Sequence, residues 1–597
     1  MKTALTTSLL LIAAVVPGTA LAAPAARVQL EPTVVPARAS ATWACINRAP
    51  ASTTLDLIAH LRHSDDQLEE LKAHFWAVSD PDHARYGEHL SQDEVTAIVA
   101  QPDNVIEAAV RFLQDECDAV GVRVGAHRDA VAFSVTAASA EACLQTEIHE
   151  FQSNALHGGQ RLTLYRATQP YSVPAGVLGD SVQLISGLSR LPDLDAFGPR
   201  LSDEEPSTST NDAQPNTDWP QDCTHCSEKT TPGVLAKVYN LPIPTTVVTG
   251  SNLAVSEFQG QVWDQKDLDD FSNNCKQSVT WNVTVNHENG TISAGSVCKI
   301  PIIGTEACGE ALLDIEYAKG VAGPSIPLTD IYASGFNLLK WSQTVEAIDD
   351  SNKILVHSVS YGNDEAQQTG VDFMDQCNAG FMKIGVRGVS ILFASGDQGV
   401  CGRSGCGFGP NVRFHPDFPA ASPYITSVGG TDFATHSVIG DEKAWSSGGG
   451  GFSDTFPIPA YQAAAVATYK KRPDANLPPQ SMWNNTGRGY PDLAALGGPG
   501  NPYCIGAGSL MLGIYGTSAA CPVAAAIMAR LNAERLKTNG APLGFLNPWL
   551  YKNPQMFHDV TQGVNNDGHK NGFSAVAGWD AATGLGTPNF AEMVKAL

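Results

Sequence analysis

The sequence has 597 residues, more than one simple hydrophobic core accommodates, so two domains are expected. Its 37 Lys and Arg against 61 Asp and Glu leave a formal net charge of −24, which argues against a nucleic-acid partner because phosphate binding needs basic surface. An acidic surface of this kind serves solubility, and it also suits a protein working in acid, where it loses net charge.

Residues 1–22 read as a secretory signal. Lys2 supplies the positive end, residues 9–16 the apolar centre, and Ala20-Leu21-Ala22 a small-x-small cleavage site. The signal predicts a secreted, extracellular protein; an acidic lysosome or vacuole shares the same entry route. No later segment is apolar for about 20 residues, so no membrane span is expected. Acceptor sequons at Asn282, Asn289 and Asn484 make glycosylation plausible. The 13 cysteines predict disulfides: three lie early, at Cys45, Cys117 and Cys143, and an even set of ten runs from Cys223 onward. No pair of C-x-x-C elements has zinc-finger spacing, so no metal is expected at Cys223 and Cys226.

Residues 45–195 form a first unit. Residues 54–61 largely alternate apolar and polar side chains, as a half-buried strand does. Residues 65–78 have helical spacing, with Leu68, Leu71, Phe75 and Val78 on one stripe. A second helix is expected over 104–117, a strand over 130–135 and a helix over 142–150, together an α+β sandwich. Residues 197–230 then turn acidic and polar, with little to bury, and read as a flexible, protease-accessible linker. From residue 231 to 597 the chain is apolar and rich in glycine. Short apolar runs at 253–257, 354–359, 389–394 and 424–428 alternate with helical stretches, the pattern of buried parallel strands. A large α/β domain is expected, with its site at the carboxyl ends of the strands.

Three motifs carry chemistry. Gly516-Thr517-Ser518 followed by an apolar stretch and Pro522 presents a serine at the start of a buried helix, whose N-terminus favours the alkoxide the serine must become. Glu310 and Asp314 stand four apart on a helix packed by Leu312, Leu313 and Tyr317, hence on one face. Two carboxyls so placed share a proton, so Glu310 is a base for Ser518 and Asp314 its relay. Ser395-Gly396-Asp397 ends a buried strand; a protonated Asp397 donates to a tetrahedral oxyanion, a device that works only in acid. No histidine stands in a His-Gly-Thr context, and His357 and His415 fall in a strand and a loop. The glycine run at 448–451 allows a close approach of backbone, to a peptide substrate or as a turn. Residues 358–362 read as a strand end, and Cys521, one turn past Ser518, as core or disulfide.

Glu310-x-x-x-Asp314, Ser395-Gly396-Asp397 and Gly516-Thr517-Ser518-x-x-x-Pro522, in that chain order, resemble the signatures of the sedolisins, the serine-carboxyl peptidases. Residues 414–433, 445–453 and 488–494 resemble the same family, and residues 80–91 resemble its activation prodomain. The resemblance implies a subtilisin-like parallel-sheet catalytic domain preceded by an α+β prodomain. The chain then divides into a signal peptide (1–22), an activation prodomain (23–196), a linker with the maturation site (197–230) and a peptidase domain (231–597). It implies Glu310 as base, Asp314 as its partner, Asp397 as oxyanion stabiliser and Ser518 as nucleophile. Asp559 and Asp580 with main-chain carbonyls are hard oxygen ligands that suit calcium. By the family pattern one structural Ca2+ falls on Asp559, Asp580 and the carbonyls of Val560, Val576 and Gly578, where Val576 replaces a frequent glycine. The implied protein is an acid-active zymogen that releases tripeptides from free N-termini of peptides or unfolded proteins and carries its own inhibitor. An acid endopeptidase of the same fold and a catalytically inactive binding homologue are the alternatives. Eight of the 15 histidines lie between His60 and His157, and their protonation is expected to help release the prodomain.

Overall fold

The computed structural model describes residues 26–31, 42–154, 161–192, 200–201, 218–242, 250–276, 282–287, 298, 303–333, 335–368, 370–409, 412–508, 510–538 and 540–597. The signal segment, the sequon asparagine at 289 and most of the 197–230 linker fall outside them.

The first unit is built on a four-stranded antiparallel sheet. The strand Thr54–Leu61 pairs with Ala130–Thr136 on one side and Val182–Ser186 on the other, and Val120–Val124 lies at one edge. The helices Asp65–Ser79 and Gln92–Val99 both begin in a capping box, Ser64 with Gln67 and Ser91 with Glu94, so the polar residue before each apolar stripe sets its start. The expected helix at 104–117 is Asp103–Arg111 continued by a wide turn over Phe112–Glu116.

The expected helix over 142–150 is displaced. Thr136 caps a helix at Ala137–Leu144, Gln145 ends it with φ 53°, and Ile148–Ser153 is a strand paired with Trp43–Arg48. Ile148 and Phe151 are buried by that sheet, so tertiary pairing overrides the local helical spacing. The Cys117–Cys143 disulfide joins the two helical segments.

The second unit is an eight-stranded sheet. Its order is Val283–His287, Leu328–Ala333, Leu253–Phe258, Val356–Val359, Ser390–Ala394, Thr426–Phe433, with Leu493–Leu496 and Glu442–Ala444 both paired to Thr426–Phe433. All the pairings are parallel except that of Glu442–Ala444. The strands are apolar on both faces because helices cover both. Leu253, Val255 and Val356 share one core with Leu312 and Ala520, from the helices Ile303–Ala322 and Thr517–Lys537. Ala254, Phe258 and Val359 share the other with Trp341 and Phe381, from Leu338–Glu346 and Val371–Val386. The expected flexible linker over 197–230 is corrected at its end: residues 218–230 belong to this unit, where Trp219 packs 5.7 Å from Phe433 and Cys223–Cys275 and Cys226–Cys504 bind the segment in place, because its aromatic and cysteine side chains are buried. Cys298–Cys308 and Cys401–Cys406 complete the disulfides among the described residues, where Cys45, Cys377 and Cys521 are free. Cys521 is buried in the core. No helix among the described residues is long and apolar enough to cross a membrane.

The two units are docked. Phe75 and Trp76, on Asp65–Ser79, lie 4.9 and 6.0 Å from Phe545 and 5.4 and 5.8 Å from Tyr424. Beside this aromatic patch Lys383 joins Asp129 of the first unit at 2.7 Å and Glu346 of the second at 2.8 Å, and His63 meets Asp129 at 3.0 Å. All four side chains are 0–2 % exposed, so the pairing is fully desolvated.

Candidate active site

Ser518 is the second residue of the helix Thr517–Lys537, which follows the strand Leu510–Tyr515 after a single residue, Gly516. Gly516 fixes that junction by donating its N–H to the Gly497 carbonyl at 2.7 Å. Ser518 is 8 % exposed, and the helix N-terminus beneath it stabilises negative charge on its oxygen.

Glu310 and Asp314 stand one turn apart on Ile303–Ala322, the helix packed against that of Ser518. Both are buried. The Ser360 hydroxyl, just past the carboxyl end of Val356–Val359, donates to Asp314 Oδ2 at 2.8 Å and lies 3.4 Å from the Ser518 carbonyl. Neither Glu310 oxygen has a protein hydrogen bond of ordinary geometry. Burial pushes the Glu310 carboxyl up, the nearby Ser518 hydroxyl opposing and the Asp397 charge adding. Burial also pushes Asp314 up, with Glu257 and Glu310 adding to it.

Glu257 extends the pair into a chain of acids. It is buried on Leu253–Phe258 and accepts from the Tyr361 hydroxyl at 3.1 Å, and the neighbouring Asp330 accepts from Trp263 Nε1 at 2.9 Å. Like charges packed this closely do not all ionise, so Glu310, Asp314 and Glu257 together retain protons and share what charge they carry. The sequence marks 358–362 as a strand end without a role for Ser360, and it does not single out Glu257. The sole trace of Glu257 is one acid within an apolar strand.

Asp397 caps the constellation from the end of Ser390–Ala394. Its Oδ1 accepts from Thr517 N at 2.8 Å and from Thr517 Oγ1 at 2.7 Å, which ties the turn to the residue before the serine. Burial pushes its carboxyl up against these bonds and against Arg200 and Arg403. The glycine run at 448–451 approaches this turn. Gly449 donates to the Gly396 carbonyl at 2.7 Å, and a Cβ there would lie 1.9 Å from the Ser395 carbonyl oxygen, so only glycine fits. His357 is buried in its strand, away from Ser518's partners, and burial takes it down to about 4 against a backbone bond to Ile354.

The linker reaches this site. Arg200 and Leu201 pair antiparallel with Tyr515 and Ile514, and the Arg200 guanidinium donates to the Asp397 carbonyl at 3.0 Å.

Two family models match the chain: the pro-kumamolisin activation domain over residues 41–191 and the subtilase family over residues 180–543. Tripeptidyl-peptidase 1 of Rattus norvegicus is 33% identical over 577 residues, 93% of each chain. Aorsin of Aspergillus oryzae is 30% identical, over 93% of this chain and 94% of its own. The chain belongs to the sedolisin family. This sedolisin is therefore a serine-type peptidase with an activation prodomain. Among solved structures, Pseudomonas sedolisin, a serine-carboxyl proteinase held with pseudo-iodotyrostatin, shares the fold at a TM-score of 0.51 and 23% identity, over 62% of this chain and 97% of its own.

Proposed function

We propose that this sedolisin is an acid-active tripeptidyl-peptidase, made as a secreted zymogen, in which Ser518 is the nucleophile, Glu310 its base, Asp314 the partner of that base and Asp397 the oxyanion donor. The observation that carries this reading is the buried Glu310–Asp314 pair beside Ser518, where among the described residues no imidazole partners the serine. Ser518 Oγ attacks the scissile carbonyl as its proton passes to Glu310. Asp397 donates its proton in a hydrogen bond to the oxyanion, and its raised affinity for that proton keeps the donor form in acid. Glu310 returns the proton to the leaving amine, and water then hydrolyses the acyl-serine with the same groups reversed. Activity falls at high pH as Asp397 ionises and at low pH as Glu310 and its neighbours lose their last charge, giving a bell-shaped profile.

The tripeptidyl mode rests on the relatives named tripeptidyl-peptidase 1, whose likeness runs the length of the chain. Acid-processed protein at about pH 4 is expected to cleave a fluorogenic substrate with a free N-terminal tripeptide. Cleavage of an N-blocked internal peptide instead would make it an endopeptidase. Silence on both, with the prodomain gone, would make it an inactive homologue.

In the zymogen the linker strand at Arg200–Leu201 occupies the approach to Ser518, and the docked first unit acts as an intramolecular inhibitor. An acidic compartment is the setting that acid activity requires, either outside the cell or in a lysosome or vacuole.

One structural Ca2+ is proposed on Asp559, Asp580 and the carbonyls of Val560, Val576 and Gly578. Asp580 is buried, among the described residues no cationic side chain lies against it, and burial pushes its carboxyl up to about 7. Its oxygens accept the N–H groups of Val576, Ala582 and Thr583, while Asp559 accepts that of Gly578 at 2.9 Å. Among the described residues no N–H donates to the three carbonyls, which leaves them free as hard ligands. Val576 is not among the residues with positive φ, so valine is tolerated there. A chelator is expected to lower the melting temperature of wild type by several degrees and to leave Asp580→Asn unmoved. Equal melting curves with and without chelator would remove calcium from the account.

A further inference from the structure

Beside the oxyanion turn lies a buried ion cluster that the steps above do not use. Arg403, inside the loop closed by Cys401–Cys406, pairs with Asp417, and the two side chains are 6% and 5% exposed. Asp364 holds the same loop: it accepts Arg403 N at 2.9 Å and Ser404 N at 2.6 Å. Asp364 and Asp417 face each other on two short paired strands, and the Tyr490 hydroxyl accepts the Asp417 N–H at 3.0 Å.

The cluster touches both segments that present reacting groups. A Cβ on Gly396, the residue before Asp397, would stand 3.5 Å from Asp417 Oδ2. A Cβ on Gly362, two residues past Ser360, would stand 2.4 Å from Asp417 Oδ1, and one on Gly402 2.4 Å from Asp364 Oδ1. Glycine at 362 and 402 lets backbone close directly onto the two carboxylates, and Gly396 lies in ordinary contact with Asp417. A buried ion pair is costly to assemble and more costly to break, because the remaining charge stays desolvated.

We propose that Arg403 is a positioning residue for the oxyanion step: clasped by Asp417 and Asp364, it fixes the turn at 395–399 against the segment 360–362 and sets a fixed positive charge behind Asp397. The inference rests on the reading that Asp397 acts as an acid. The groups facing Asp397 are the Thr517 amide and hydroxyl, Glu310, Arg403 and, in the zymogen, Arg200 of the linker. Maturation within the linker removes Arg200, which leaves Arg403 as the cation opposing the rise of the Asp397 carboxyl. Without Arg403, Asp417 and Asp364 become uncompensated anions, Asp397 holds its proton to higher pH, and its turn loses a brace.

The test is the pH dependence of kcat and KM for acid-processed wild type, Arg403→Gln, Arg403→Lys and Asp397→Asn. Arg403→Gln is expected to lose between about 10- and 100-fold in kcat with KM little changed. Its alkaline limb is expected to move up by about one pH unit, while Arg403→Lys holds the limb in place. Asp417→Asn keeps the cation but unclasps it, so kcat falls and the limb does not rise; it decides the matter if Arg403→Gln does not fold. An unmoved limb in Arg403→Gln, or a loss that matches the loss of titratable active sites, overturns the proposal. Asp397→Asn separates the two readings. An amide donor does not titrate, so the alkaline limb should vanish; a limb kept at the wild-type pH sinks the role of Asp397 itself.

Discussion

Replacing Glu310 by glutamine is expected to lower kcat by at least about 10³-fold while KM for a peptide substrate changes little. An amide of the same shape fills the same cavity, but it has no lone pair basic enough to take the Ser518 proton. Stability should move the other way. Burial and mutual repulsion raise the Glu310, Asp314 and Glu257 carboxyls as a set, so above about pH 4.5 the native set holds protons that the unfolded chain has released, while the charge it still shares leaves Glu310 able to accept from Ser518. Its contribution is therefore full below that pH and is lost as pH rises. Glutamine removes this dependence, and at neutral pH the mature variant should melt at or above the wild-type temperature. A variant that keeps kcat within tenfold, or one that melts lower at every pH, would count against Glu310 as a buried base.

Release of the prodomain is expected to depend most on His89. Its ring is wedged between Gly388 and Gly544, where a Cβ would come within 2.6 and 2.7 Å of ring atoms, and Nε2 donates to the Pro542 carbonyl at 2.9 Å. That bond fixes the neutral tautomer and leaves Nδ1 buried and unpartnered. Burial takes His89 down to about 4, and burial likewise takes His60 and His127 to about 3. Once undocked, His89 binds its proton near pH 6.5, and docked it does not; His60 and His127 have their partners, Ser186 and Thr96, within the prodomain itself. Docking is thus fully stable above that pH and weakens as pH falls toward the docked values. For His89 alone the loss approaches about 3 kcal/mol at pH 4, about a hundredfold in the equilibrium. His89→Gln retains a donor for Pro542 and does not titrate, so half-maximal processing should need a lower pH than in wild type. An unchanged midpoint would assign the release to other groups. Asp129 does not supply it, because Lys383 and His63 hold its carboxyl far below the ordinary range despite burial.

These two cases show where the sequence was legible. Glu310, Asp314, Asp397 and Ser518 sit in short patterns whose spacing follows from one helix turn, one strand end and one helix start, so local rules place each on its element. The central strands were readable for the same reason, as apolar runs covered on both faces. Glu257, Ser360 and Arg403 act through partners from 46 to about 100 residues away or across a loop, and no local period marks them. The excess of histidines in the prodomain was visible by count. That His89 is buried, and hence which way its proton affinity moves, depends on Gly388 and Gly544 in the other unit. The helix expected over 142–150 failed for a related reason, since the pairing of Ile148–Ser153 with Trp43–Arg48 outweighs local spacing.

The most direct test of the account is the 13C NMR spectrum of acid-processed enzyme bound to a peptide aldehyde labelled at its carbonyl carbon. The account predicts a tetrahedral hemiacetal carbon in wild type at acid pH and no such signal in Ser518→Ala. A hemiacetal that persists in Ser518→Ala, or an active enzyme that holds the aldehyde only as its hydrate, would contradict it.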